Sequence, residues 1–168
     1  MTRDSQHRFG THQAVLRACL DQTSGSVLEL GCGLYSTPLL HERCAAEGRL
    51  LVSADTDEAW LKRFADMSGE GHQFLHVTPE RDWNLLPYQL RPWSVVLVDQ
   101  HPAAARLVSI AALMDAAEFI IVHDTETATY FYEPLLRQFR YRFDDGCDPQ
   151  TTVVSNLRPF RHSPRETA

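Results

Sequence analysis

Residues Ser26 to Leu40 read SVLELGCGLYSTPLL, and the reading of this stretch decides the fold. The apolar run Val27 to Leu30 has the length and composition of a short strand covered on both faces. Gly31-Cys32-Gly33 ends it, and Thr37 as N-cap with Pro38 at the first helical position starts a helix. Two glycines one residue apart at the carboxyl end of a strand let backbone approach a ligand with no Cβ in the way. The helix start adds unpaired N–H groups. The stretch therefore reads as a nucleotide-cofactor turn.

Working outward, short apolar and β-branched runs recur at Val27 to Leu30, Leu50 to Ala54, Phe74 to Val77, Val95 to Val98 and Phe119 to Val122. Helical patterns lie between them at Thr37 to Ala46, Asp57 to Met67 and Pro102 to Ala116. This alternation implies right-handed βαβ crossovers and a mostly parallel, doubly wound α/β sheet. A leading helix capped by Thr11 is expected over residues 11–25, and a late one from Tyr130 to Phe139. Two last strands, Tyr141 to Asp144 and Thr151 to Leu157, flank DGCDP, so the sheet should end in an antiparallel hairpin. The expectation is one domain over residues 1–168, with its Rossmann-like core at 26–157 and a flexible tail at 158–168.

Composition narrows the function. The chain has 168 residues, 43% of them hydrophobic, enough for an independent core. A net charge of −6 weighs against nucleic acid as a partner. No apolar run suggests a membrane span, and the first ten residues lack a signal peptide's apolar centre, so a cytoplasmic protein is expected. Cys19, Cys32, Cys44 and Cys147 form no CxxC pair, which points to free thiols.

Two cofactor classes use such a turn. A dinucleotide calls for GxGxxG facing a pyrophosphate, and the sixth position here is Ser36. S-adenosylmethionine has no phosphate and carries a cationic sulfonium, which a nearby carboxylate favours. Glu29, two residues before Gly31, is such a carboxylate. Asp55 ends LLVSAD about twenty residues beyond the glycines, the spacing at which an acid accepts hydrogen bonds from ribose. Its structural alternative is a helix cap, and Asp57 is the second candidate.

VLELGCGLYST resembles motif I of the class I S-adenosylmethionine-dependent methyltransferases, an acidic residue followed by GxGxG, with Tyr35 in place of the third glycine. The resemblance extends over residues 26–157 and reaches small bacterial members of the family. It implies a cofactor pocket built from Glu29, Gly31, Gly33, Tyr35, Asp55 and the strand-four aspartate Asp99. It also implies adenine contacts after the third strand, where Asp82 and Trp83 stand in TPERDWNLLP; the alternative for Trp83 is interface packing.

VVLVDQHP puts Asp99 and His101 at the end of strand four, and IIVHDTE puts His123, Asp124 and Glu126 at the end of strand five. Ligands of open α/β sheets bind outside these strand ends. In one reading a histidine, His101 first and His123 second, is the general base that takes a proton from a substrate hydroxyl. In another, Asp99 and Asp124 hold a divalent metal such as magnesium. That pairing resembles metal-dependent O-methyltransferases. A structural reading has these acids and histidines capping loops.

The expected activity is methyl transfer from S-adenosylmethionine to a small hydroxylated acceptor, in a pocket a homodimer partner could complete. The alternatives are a nicotinamide-dependent oxidoreductase and a non-catalytic binding module. Lys62, the sole lysine, forms no Tyr-x-x-x-Lys pair and argues against the commonest oxidoreductase form.

Overall fold

A computed structural model of the chain describes residues 10–78, 82–86 and 91–162. The outermost parts of the expected domain, 1–9 and 163–168, and part of the loop after the third strand, 79–81 and 87–90, lie outside the described residues. In chain order the elements are α1 (Gln13–Asp21), β1 (Val27–Leu30), α2 (Thr37–Glu47), β2 (Leu51–Asp55), α3 (Glu58–Leu61), β3 (His72–His76), β4 (Trp93–Val98), α4 (Ala103–Leu113), β5 (Ala117–His123), α5 (Glu133–Leu136), β6 (Tyr141–Asp144) and β7 (Thr151–Ser155). Short 3₁₀ turns cover Lys62–Met67, Trp83–Leu85 and Ala128–Tyr130.

The strands form a seven-stranded sheet in the order β3-β2-β1-β4-β5-β7-β6. The first five run parallel, and β7 lies antiparallel between β5 and β6. The order reverses between β1 and β4, which is where an open α/β sheet forms its ligand crevice. Register then lines up the functional ends. Leu30 pairs with Ala54 and with Val98, and Val98 pairs with Val122. Gly31, Asp55, Asp99 and His123, each the next residue, share one edge of the sheet.

Side chains alternate across the central strands with the two-residue period of a pleat. Val27, Leu51, Val95, Leu97, Phe119 and Ile121 meet α1 and α2. Leu28, Leu30, Val96, Val98, Ile120 and Val122 meet α4, α5 and Trp83. Both faces are covered, which explains why the central strands read as continuous apolar runs.

Local differences from the sequence reading have plain causes. Ser36, not Thr37, is the α2 N-cap, and it makes no side-chain cap; the Thr37 hydroxyl is engaged below the turn by Glu29. Likewise His12, not Thr11, occupies the N-cap position of α1, also with no side-chain cap, while Thr11 Oγ1 donates to the Pro149 carbonyl. The Asp57 to Met67 pattern divides into one turn of α-helix and a 3₁₀ segment. Residues 158–162 of the expected flexible tail are anchored: Arg158 pairs with Glu118, and Phe160 lies edge-on to Phe119.

At Gly31 the backbone is left-handed, with φ of +91°, and a Cβ there would come within 2.6 Å of the Asp99 backbone. At Gly33 the φ is not left-handed, and a Cβ would meet at 2.9 Å only the hydroxyl of Ser36, a buried side chain that donates to Glu29. Gly31→Ala should therefore cost on the order of 3 kcal/mol from strain and overpacking. Gly33→Ala, with no positive-φ strain but a buried hydroxyl to displace, should cost less, about 1–2 kcal/mol. Urea unfolding of the two variants checks the difference.

Candidate functional site

The turn after β1 is held by its own N–H groups. Gly31 N–H donates to the Ala54 carbonyl at 2.8 Å, Cys32 N–H to Asp55 Oδ2 at 2.8 Å and Gly33 N–H to Thr37 Oγ1 at 2.9 Å. From beside it, the Trp60 indole donates to the Cys32 carbonyl at 2.8 Å, with Phe64 edge-on to the same ring. Tyr35 offers its carbonyl to the Gln13 amide at 2.7 Å, which ties α1 to the turn. A pyrophosphate would have none of the three glycine-turn donors available. A ligand without phosphate needs none of them.

Glu29 lies beneath the turn and is fully buried, so it does not face the crevice as the sequence reading had it. The β1 pleat turns it toward α2, where it accepts from Thr37 at 3.0 Å and from Ser53 at 2.6 Å. Burial pushes its carboxyl up to about 7 against these hydrogen bonds.

Asp55 is half-buried at the crevice edge. Besides Cys32 it accepts from the Asp57 amide at 2.9 Å, and each carboxylate oxygen keeps a further lone pair. Asp57 is the exposed N-cap of α3 and accepts from Trp60 N–H, the capping role that competed with ribose binding. Asp82 is exposed and receives a hydrogen bond from Asn84. Trp83 is buried, and its indole donates to the His101 carbonyl at 3.0 Å. It is interface packing that links two loops, and its ring is not a free surface for adenine.

At the β4 and β5 ends the structure adds a residue missing from the sequence reading. Arg106 of α4 is buried and reaches Asp99 Oδ1 at 2.9 Å and Asp124 Oδ2 at 3.5 Å. It also donates to the carbonyls of Gln100 and His123 and to the Tyr132 hydroxyl. The two acids expected to hold magnesium are thus bridged by a fixed guanidinium, and the metal reading does not fit. Burial raises the Asp99 carboxyl although Arg106 opposes the shift. Burial opposes the charge of Arg106, but Asp99 leads the groups that hold its pKa above the ordinary value. One signal was available: Arg106 lies four and seven residues before Ile110 and Leu113, on the buried face of α4.

His123 is buried, with Nδ1 at 3.3 Å from the Thr151 hydroxyl and Nε2 at 3.6 Å from Asp124. Asp124 takes a left-handed backbone, φ of +60°, which carries its side chain back beside His123. His101, by contrast, is exposed at the lip of the crevice, and what it contributes to the packing is its carbonyl. His12, also missed in the sequence, is buried edge-on to His123, ring centroids 4.8 Å apart, with neither ring nitrogen hydrogen-bonded. Burial, then His123, lowers its pKa to about 3. Tyr130 and Tyr132 pack edge-on beside Arg106.

The fold is similar to that of solved methyltransferases. The chain is similar to WbdD, with 15% identity over 90% of this chain and 41% of that one, TM-score 0.59. It is similar also to human methyltransferase-like protein 13, solved in complex with SAH, at 15% identity over 98% of this chain and 86% of that one, TM-score 0.58. A third likeness is to CalS11, a TDP-rhamnose 3'-O-methyltransferase, at 13% identity over 91% of this chain and 80% of that one, TM-score 0.54. The chain thus spans less than half of the WbdD chain and most of the other two. No family model and no curated protein matches the sequence. Among the described residues no helix is long and apolar enough to cross a membrane.

Two measurements follow from the buried charges. Arg106→Met leaves Asp99 and Asp124 unpaired and should cost about 3–5 kcal/mol in urea unfolding, while magnesium should leave the parent's melting temperature unmoved. His12 and His72 have pKa values lowered to about 3 and about 4, chiefly by burial. The unfolded chain binds the extra protons, so their stabilisation is present above pH 6.5 and lost as pH falls below it. His12→Phe should make that acid loss shallower.

Proposed function

We propose that the chain binds S-adenosylmethionine across the β1, β2 and β4 ends and transfers its methyl group to the hydroxyl of a small acceptor. The observation that carries this reading is the edge on which Gly31, Asp55, Asp99 and His123 stand side by side, next to a turn whose glycine N–H groups leave nothing for a phosphate. When bound, the cofactor supplies an electrophilic methyl carbon on sulfur, displaced in line by the acceptor oxygen. The 3'-O-methyltransferase similar in fold supports a hydroxyl acceptor by analogy alone.

The chain's own residues do the rest. Asp55 accepts ribose hydroxyls with its remaining lone pairs. Asp55, with buried Glu29 when it is ionised, makes the β1 and β2 ends of the crevice negative, which favours a sulfonium. Arg106 pins Asp99 and Asp124 in place, so aligning donor and acceptor needs little reorganisation. His123 takes the acceptor proton, and Asp124 offsets the imidazolium charge. We place His123 ahead of His101 as base because it is buried and oriented, whereas His101 is exposed.

Calorimetric titration with S-adenosylhomocysteine and, separately, NAD tests the reading. S-adenosylhomocysteine should bind and Asp55→Ala should weaken it at least about tenfold, the loss of two hydrogen bonds to a charged acceptor. NAD binding in its place would overturn it. In a screen of hydroxylated acceptors, His123→Ala should lower turnover by roughly 10²- to 10⁴-fold with cofactor affinity kept, and His101→Ala should cost less.

A further inference from the structure

The contacts of Glu29 continue away from the crevice. Ser53 Oγ, which donates to Glu29, lies 2.9 Å from His72 Nε2, and His72 Nδ1 lies 3.1 Å from His41 Nδ1. His72, the first residue of β3, is buried, while His41 on α2 is partly exposed. Both histidines line a cavity of about 270 Å³ at the surface, with Asp66 on its rim. An unbroken file of four side chains thus runs from the enclosed carboxylate to solvent.

The donor order along this file has two self-consistent forms. With Glu29 ionised, Ser53 must donate to it, so His72 donates from Nε2 to Ser53 and His41 donates from Nδ1 to His72. With Glu29 protonated and donating, every bond reverses: Ser53 donates to His72 Nε2, and His72 donates from Nδ1 to His41. One proton converts the first form into the second. It adds to Nε2 of His41; the Nδ1 proton of His41 passes to His72 Nδ1, the Nε2 proton of His72 passes to Ser53, and the hydroxyl proton of Ser53 passes to Glu29. No heavy atom need move, and both imidazoles end neutral.

We propose that this file is a proton relay by which Glu29 exchanges its proton with solvent through His41, and that the charge of Glu29 tunes how tightly the turn holds a cationic ligand. The second half rests on the S-adenosylmethionine reading above. The groups around Glu29 leave its charge uncompensated: Ser36 and Thr37 from α2 and Ser53 from β2 are neutral donors, and Asp99 at the β4 end opposes ionisation. Cys32 and Cys44, the thiols that feel Glu29, are themselves shifted upward by burial and stay neutral. His72 faces Ser53, His41 and the Phe74 ring. Glu29 near 7 can change state around neutrality, while His72 near 4 passes a proton on and does not store it.

Long-range ¹H–¹⁵N spectra of the ¹⁵N-histidine protein report which ring nitrogen carries the proton. His72 should move from the Nε2–H tautomer at pH 8.5 to the Nδ1–H tautomer at pH 5.5, and Glu29→Gln should freeze it in one form. Ser53→Ala, which cuts the file and removes one hydrogen bond to the carboxylate but keeps Glu29 itself, should abolish the switch as well and serves if Glu29→Gln does not fold. A single His72 tautomer throughout, an imidazolium at low pH, or a switch that survives both variants overturns the relay. In calorimetry, the affinity ratio of S-adenosylmethionine to S-adenosylhomocysteine should rise at least about threefold from pH 6 to pH 8. Glu29→Gln supplies the baseline for the ligands' own titration. A ratio that follows that baseline overturns the coupling. If neither ligand binds while the tautomer still switches, the cofactor reading falls and the relay stands.

Discussion

The site depends on one close approach, that of Gly31 to the backbone of Asp99 and Gln100. A Cβ at Gly31 would sit 2.6 Å from the Asp99 carbonyl carbon and oxygen, so the turn after β1 and the loop after β4 can lie this close because no side chain stands between them. The position lies at the point where strand order reverses, and neighbouring loops there would otherwise diverge in opposite directions. The Asp99 N–H donates to the Leu30 carbonyl at 2.8 Å and extends the β1–β4 ladder one residue past its last paired rung. Asp55 and Asp99 are thereby fixed on either side of the same turn.

That juxtaposition gathers acidic charge, and the structure compensates it unevenly. Asp99 and Asp124 share Arg106, whose buried guanidinium is held by three backbone carbonyls as well, those of Asp99, Gln100 and His123. Removing either acid would leave that cation short of a partner in a poorly solvated place, so the three groups stand as a unit. Glu29 and Asp55 face no such cation and are held by hydroxyl and amide donors. A crevice lined this way is rigid at the β4 and β5 ends and retains negative potential at the β1 and β2 ends. A ligand with a positive centre experiences both features.

The fold was legible because its decisive information is local and periodic. Continuous β-branched runs, helical stretches between them and a Gly/Pro-marked reversal before β7 suffice to give a parallel sheet closed by a hairpin, and β1 and β6 fall on their expected residues. The site was legible in its backbone positions, since strand ends follow from strand assignments. Side-chain direction was not. Whether Glu29 faces the crevice or α2 depends on the pleat of β1 relative to two helices, and whether Trp83 lies open or packed depends on a loop eighteen residues away. Arg106 was missed because its role shows only once the β4 and β5 ends are brought together, with Asp99 on one side and Asp124, just past β5, on the other, and His12 because its partner His123 lies far along the chain.

The pairing of the turn's own N–H groups links this geometry to the kind of ligand the crevice can take. A helix start that leaves its donors free is a site for phosphate, because an anion can satisfy several of them at once. Here Asp55 and Thr37 already supply acceptors to Cys32 and Gly33, and Thr37 is in turn anchored on Glu29. Asp55 therefore acts twice: it satisfies the turn from within, and it puts negative charge where an anion would have to sit. The glycines remain necessary for the close approach of backbone to backbone, while the ligand class is set by the carboxylates around them. The same glycine turn that serves a pyrophosphate elsewhere has here, with these partners, none of its three donors left for an anion.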